Sequence, residues 1–150
     1  MLSILGGWIT GHLAKQGWSV TRARKTGMFF FALCVMPVMA ATKVSVWPAV
    51  LLIALAGAAH QAWSANLYTT VSDMFPKSAV ASVIGLGGLA GAMGGMLFPL
   101  YCGHVLDGYK ARGEEAGAYG KLLLICAFAY VATFVVHHLL APRFERFRQS

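Results

Sequence analysis

The chain is 150 residues long, 58% hydrophobic and only 11% charged, with a formal net charge of +7. An ordinary soluble domain carries roughly 45–50% apolar and about 25% charged residues. Here Lys, Arg, Asp and Glu are wholly absent from the stretches 1–14, 26–42, 44–72, 78–106 and 122–142, and because crossing a bilayer core takes about 20 mostly apolar helical residues, this pattern excludes both a disordered chain and a single soluble core.

The expected architecture is an all-α membrane protein with four full transmembrane helices plus the end of a fifth. The first stretch, Met1–Ala14, is too short to span and reads as the end of a helix over 1–14, followed by a basic loop over 15–26. The first full helix is expected over about 27–45, kinked at Pro37 and extended past Lys43, whose long side chain can snorkel. The second, about 47–72, takes Pro48 into its first turn, where the missing N–H costs little. The third, about 79–105, follows Ser78 as N-cap. The fourth, about 120–141, stops before Pro142 and leaves a tail over 142–150. Between them, Asp73–Lys77 reads as a tight hairpin and Asp107–Lys121 as a longer solvated loop. Trp8, Trp18, Trp47, Tyr101, Tyr109 and Tyr119 fall near the ends of these segments, as interfacial aromatics do.

The basic residues orient the chain rather than mark a nucleic-acid surface, which would interleave them with exposed polar and aromatic groups. Lys15, Arg22, Arg24, Lys25, Lys77, Arg143, Arg146 and Arg148, eight of the 12 Lys and Arg residues, lie in the first loop, the Asp73–Lys77 hairpin and the tail. These alternate segments share one side of the membrane, and positive-inside bias makes that side, with the C-terminus, cytoplasmic. Cys34, Cys102 and Cys126 each sit in an apolar stretch with no paired or metal-type spacing, so no disulfide framework or metal site is expected. Met1–Ala14 lacks the basic n-region of a secretory signal.

Three constellations stand out. Gly7 and Gly11 form a small-x-x-x-small step that permits close helix contact. In the second full helix, at 100° per residue, Gly57, His60, Gln61, Ser64 and Tyr68 share one face, and Trp63, Asn66, Thr70 and Asp73 share the opposite one. Unsatisfied polar groups in hydrocarbon cost about 1–3 kcal/mol each, so at least one face meets protein or a watery cavity, as interhelical hydrogen-bond glue or as a cavity wall. In the third helix, Gly87, Gly88, Gly91, Gly94 and Gly95 fall on a face about 120° wide, suited equally to static packing and to sliding or bending. Pro99 offers a second hinge. Of the five histidines only His60 lies well inside a span, and no mid-span carboxylate, nucleophile or haem-ligand pair is present. No cofactor and no catalytic residue is expected.

In chain order, Gly6-Gly7…Gly11 with Arg22-Ala23-Arg24-Lys25, then His60-Gln61-Ala62-Trp63-Ser64-Ala65-Asn66-Leu67, then Ser72-Asp73-Met74-Phe75-Pro76-Lys77, then Ser82-Val83-Ile84-Gly85-Leu86-Gly87-Gly88 closely resemble the anion:cation symporter branch of the major facilitator superfamily, most nearly the bacterial hexuronate transporters. The hairpin with the glycine-rich helix after it marks the branch. Lys15 stands where the superfamily's loop often carries an acidic residue. The resemblance implies twelve helices in two halves built from inverted repeats around a midplane site, with this chain supplying the end of the eighth helix and helices nine to twelve. It implies Gln61, Ser64 and Tyr68 as the residues facing a sugar acid, with Asn66 in reserve, and Gly7, Gly11 and the glycine face of the third helix in packing or gating.

The resemblance further implies proton-coupled uptake across the inner membrane, with the charged residues that bind the carboxylate and couple protons in an N-terminal half that is not in this chain. The 150 residues alone are therefore not expected to transport. The alternative is a stand-alone four-helix membrane protein, such as a dimeric exporter or a membrane subunit. An exporter of that kind is expected to carry a membrane-buried carboxylate, which these spans lack.

Overall fold

A computed structural model of the chain describes residues 11–12 and 16–144. Of these, 88% are helical and none is in a strand. Of the expected helix end over 1–14, only Gly11 and His12 fall within the described residues, and both are helical; Gly7, Lys15 and the last six residues fall outside them. Among the described residues, four segments are long and apolar enough to cross a membrane: Val20–Lys43, Val46–Met74, Lys77–Lys110 and Glu115–Leu140.

The first span is composite. Helix α1 covers Val20–Val35 and passes into a 3-10 segment over Met36–Lys43. Pro37 is the cause. Its ring carries no N–H for an α-type bond and clashes with the carbonyl four residues back, and the preceding Met36 N–H already bonds to Leu33 in the tighter i−3 pattern. The expected kink is thus realised as a change of helix type. The basic loop expected over 15–26 is shorter than that: the helix starts at Val20, so Arg22, Arg24 and Lys25 ride on its first turns. Ser19 accepts a hydrogen bond from the Arg22 backbone N–H at 3.3 Å, an N-cap that ends the loop. Gly17, at φ 88°, occupies the left-handed backbone region just before it.

Helix α2 covers Val46–Met74 and α3 covers Lys77–Lys110, joined by Phe75 and Pro76 alone. Phe75 is extended, as a residue preceding proline prefers. Pro76 rather than Ser78 flanks the N-terminus of α3, its carbonyl accepting from the Ala79 and Val80 N–H groups, so Ser78 lies within the first turn and does not cap it. Pro99 lies inside α3 without interrupting it. The long loop expected over 107–121 is also corrected. Helix α3 runs on to Lys110 and α4 covers Glu115–Leu140, leaving four residues between them. Gly113, at φ 71°, closes that turn, and the Arg112 guanidinium lies 4.6 Å from the centre of the Tyr109 ring. Charge density marks this segment as solvated, but solvation does not stop a helix.

At 29 and 34 residues, α2 and α3 are about 44 and 51 Å long at 1.5 Å per residue. Both exceed a hydrocarbon core about 30 Å thick, so they tilt or project beyond it.

The main core joins Met28, Phe31, Ala32, Val35 and Val38 of the first span to Ala59, Ala62 and Trp63 of α2 and Ala127 of α4. The alanines admit close backbone approach, the means by which helices associate where lipid tails are as apolar as leucine. Helix α3 is attached differently. Val105 is its one buried residue, packing with Ala118 and Leu122 of α4. Beside them a Cβ on Gly117 would lie 3.1 Å from the Tyr109 ring, so glycine permits the contact.

The start of α1 and the ends of α2 and α4 meet at one end of the bundle. Arg24 Nε lies 3.4 Å from Asp73 Oδ2, and Arg24 donates to Asn66 Oδ1 at 3.4 Å. Lys25 Nζ donates to the Pro142 carbonyl at 3.0 Å and to His138 Nδ1 at 3.2 Å, and Thr21 Oγ1 accepts from the Phe144 N–H at 3.1 Å. Hydrogen bonds to charged groups contribute about 1.5–3 kcal/mol. Arg24→Ala is therefore expected to lower stability by about 1–3 kcal/mol, and a double-mutant cycle with Asp73→Ala should give a coupling of at least about 0.5 kcal/mol. Thermal unfolding in detergent measures both; additive losses would mean that the pair does not interact.

Candidate functional site

Helix α2 turns its two polar faces to different surroundings. The Asn66 face is packed. Asn66 is 0% exposed, its Nδ2 donates to the Ala62 carbonyl at 3.0 Å, and its Oδ1 accepts from Arg24. Thr70, also buried, donates to the Asn66 carbonyl at 2.8 Å. In this structure the amide of Asn66 is committed to holding α1 against α2.

The opposite face is open. Gln61 is exposed, Tyr68 is 47% exposed and Ser64 is half-buried. None of the three side chains makes a hydrogen bond among the described residues, in contrast with Thr69, which donates to the Ala65 carbonyl at 2.6 Å. Ser64 lines a cavity of about 550 Å³ between α2, α3 and α4, together with His60, Trp63, Gly91, Gly94 and Tyr130. Gln61 and Tyr68 do not reach it, so the expected trio is not gathered around one enclosed space within this chain.

What the cavity adds is an aromatic cluster. The Tyr130 hydroxyl hydrogen-bonds His60 Nδ1, and the Tyr130 ring meets Trp63 edge-on at 5.8 Å between centroids. Such arrangements contribute about 0.5–1.5 kcal/mol beyond buried area. Sequence reasoning missed Tyr130. The available signal was its isolation: it is the only tyrosine in the charge-free stretch 122–142, and a phenol far from both span ends needs a polar partner. Among the described residues no group of three His, Cys, Asp or Glu side chains could hold a metal ion, and the three cysteines are free.

The glycine face of α3 is equally open. A Cβ built at Gly87, Gly88, Gly91, Gly94 or Gly95 would meet no atom of the described residues within 4 Å, nor would one at Gly11. Gly91 and Gly94 border the cavity, while α3 crosses the rest of its length largely exposed.

Among the described residues, four apolar helices joined by short turns, with a polar face running along one of them, define an all-α membrane fragment. In sequence the chain is similar to the hexuronate transporters of Escherichia coli strain K12 and of Escherichia coli O157:H7, at 32% identity over 106 residues in each case. The match covers 69% of this chain and 24% of each relative, so the chain spans about a quarter of the length of the curated relatives it matches. The match is consistent with a partial, hexuronate-transporter-like sequence. No family model matches, and no solved structure gives a significant match.

With nothing within 4 Å of their Cβ positions, Gly88→Ala and Gly91→Ala should leave the helix content and the unfolding midpoint of this chain unchanged or slightly raised, alanine being the better helix former by about 1 kcal/mol in water. Circular dichroism on heating in detergent checks this; a lowered midpoint would reveal a packed face.

Proposed function

We propose that this chain is the greater part of the C-terminal half of a secondary active transporter that takes up hexuronates or related sugar acids with protons. In this reading α1 to α4 are helices nine to twelve of twelve, and the whole of residues 1–150 belongs to one major facilitator domain. The similarity to hexuronate transporters over 106 residues carries the proposal. The partners are the lipid bilayer, an organic anion, protons and an N-terminal half supplied by other residues. The protein resides in the bacterial inner membrane with the C-terminal tail in the cytoplasm.

The open face of α2 supports this reading. A helix that commits Asn66 and Thr70 to its own bundle yet leaves Gln61 and Tyr68 exposed has polar groups available to a space that other helices would close. Alternating access needs two halves rocking about a midplane site, so this chain by itself should not transport. Gly7, Gly11 and the α3 glycines would then serve packing or gating against helices outside this chain.

In a full-length transporter containing these helices, Gln61→Ala should raise the half-saturating hexuronate concentration a few-fold to about ten-fold, the loss of one hydrogen bond worth about 0.5–1.5 kcal/mol. Ser64→Ala and Tyr68→Phe should act in the same direction at unchanged expression. Asn66→Ala should instead lower the amount of folded protein. Uptake unchanged in all three face variants would return this face to packing.

The orientation has its own test. In a background without Cys34, Cys102 and Cys126, Gln16→Cys should resist a membrane-impermeant thiol reagent in whole cells, and Arg112→Cys should react. Both positions are exposed. The reverse pattern would invert the topology.

A further inference from the structure

At the end of the bundle where α1 begins and α4 finishes, the surface holds two adjoining hollows. One, about 590 Å³, is lined by Ser19, Thr21, Arg22, Lys25, Arg143 and Phe144. The other, about 400 Å³, is apolar and runs along Phe29, Phe134, Val135 and Leu139 between α1 and α4. Lys25, Thr26 and His138 line both, so the two form one continuous groove with a cationic head and a hydrocarbon stem.

Among the described residues, the charge in the head has no carboxylate partner: none lies within ion-pair distance of Arg22, Lys25 or Arg143. Asp73 pairs with Arg24, and Glu114 pairs with Arg112 in the turn between α3 and α4. Lys25 is only 8% exposed, and its ammonium is held by a carbonyl, an imidazole nitrogen and the Phe144 ring 5.4 Å away. Buried charge without a counter-ion is costly, and like charges gathered at one helix start repel and also oppose the helix dipole. An anion in the head would relieve all three. The stem selects among anions. Phe29, Val135 and Leu139 are 44%, 48% and 71% exposed on helices fit to cross a membrane, so this part of the groove opens to acyl chains rather than to water.

We propose that this groove binds one anionic phospholipid, its phosphate between Arg22, Lys25 and Arg143 and one acyl chain along Phe29, Phe134 and Leu139. The site lies on α1 and α4, away from the open face of α2, and does not depend on the transported substrate. A phosphodiester matches the head in charge, and the Ser19 and Thr21 hydroxyls add neutral contacts. A zwitterionic lipid would place its own ammonium among the cations and is disfavoured.

Native mass spectrometry of the full chain, released from detergent after titration with phosphatidylglycerol, phosphatidylcholine or inorganic phosphate, tests the assignment. One phosphatidylglycerol should be retained at concentrations where phosphatidylcholine is not. Each surface cation contributes about fivefold to binding an anionic membrane lipid. The double variant Arg22→Gln/Arg143→Gln, at two exposed side chains, should therefore weaken retention roughly twenty-fold without unfolding the chain. Leu139→Glu, which places a charge in the stem, should weaken phosphatidylglycerol and leave the response to inorganic phosphate unaltered. Equal retention of the two lipids, retention unaffected by both variants, or phosphate binding as tight as lipid binding would each overturn the proposal.

Discussion

The bundle depends on how the first turns of α1 meet the far ends of two antiparallel neighbours. Helix starts carry partial positive charge and helix ends partial negative charge, so a start packed beside two ends is favourable before any side chain is considered. Arg24 and Lys25 strengthen that arrangement. Arg24 reaches Asp73 in the last turn of α2 and Asn66 above it, while Lys25 reaches the chain just beyond α4. These two adjacent cations tie α1 to two different helices. Cations at the start of their own helix oppose its dipole, and the neighbours' ends compensate.

This arrangement also explains how the polar content of α2 is divided. Once Arg24 fixes which side of α2 meets α1, Asn66 and Thr70 are drawn into the bundle and Gln61 and Tyr68 turn away from it. The small residues Ala59 and Ala62 lie on the packed side, so contact and hydrogen bonding select the same face. Helix α3 takes no part in this. Tethered chiefly near Val105, it presents its glycines to open space.

The four spans were legible because a bilayer imposes a length on apolar sequence, and the charge-free stretches mark it directly. The positions where they end were less so. Arg22, Arg24 and Lys25 read as loop because charge is taken for solvent, yet all three lie on a helix, and the heads of Arg24 and Lys25 reach partners brought near only by the fold. The 107–121 segment misled for the same reason: Asp107, Lys110 and Glu115 are comfortable on helix ends projecting beyond the hydrocarbon. For the candidate site, periodicity separated the two faces of α2 correctly but could not say which is packed, since that depends on Arg24, 42 residues away in sequence. The Tyr130–His60 contact bridges 70 residues and has no local signature at all.

Pro37 has a consequence for dimension as well as direction. A 3-10 helix rises about 2.0 Å per residue and stacks every third side chain on the same line. Val35, Val38 and Ala41, spaced by three, are all buried, so the core-facing stripe changes its repeat where the helix type changes. The first span thereby reaches about 40 Å with 24 residues, keeping pace with a 29-residue neighbour that needs about 44 Å of α-helix. One residue added between Pro37 and Lys43 would turn everything beyond it by about 120°. The eight-residue segment therefore acts as a ruler and an indexing gear at once.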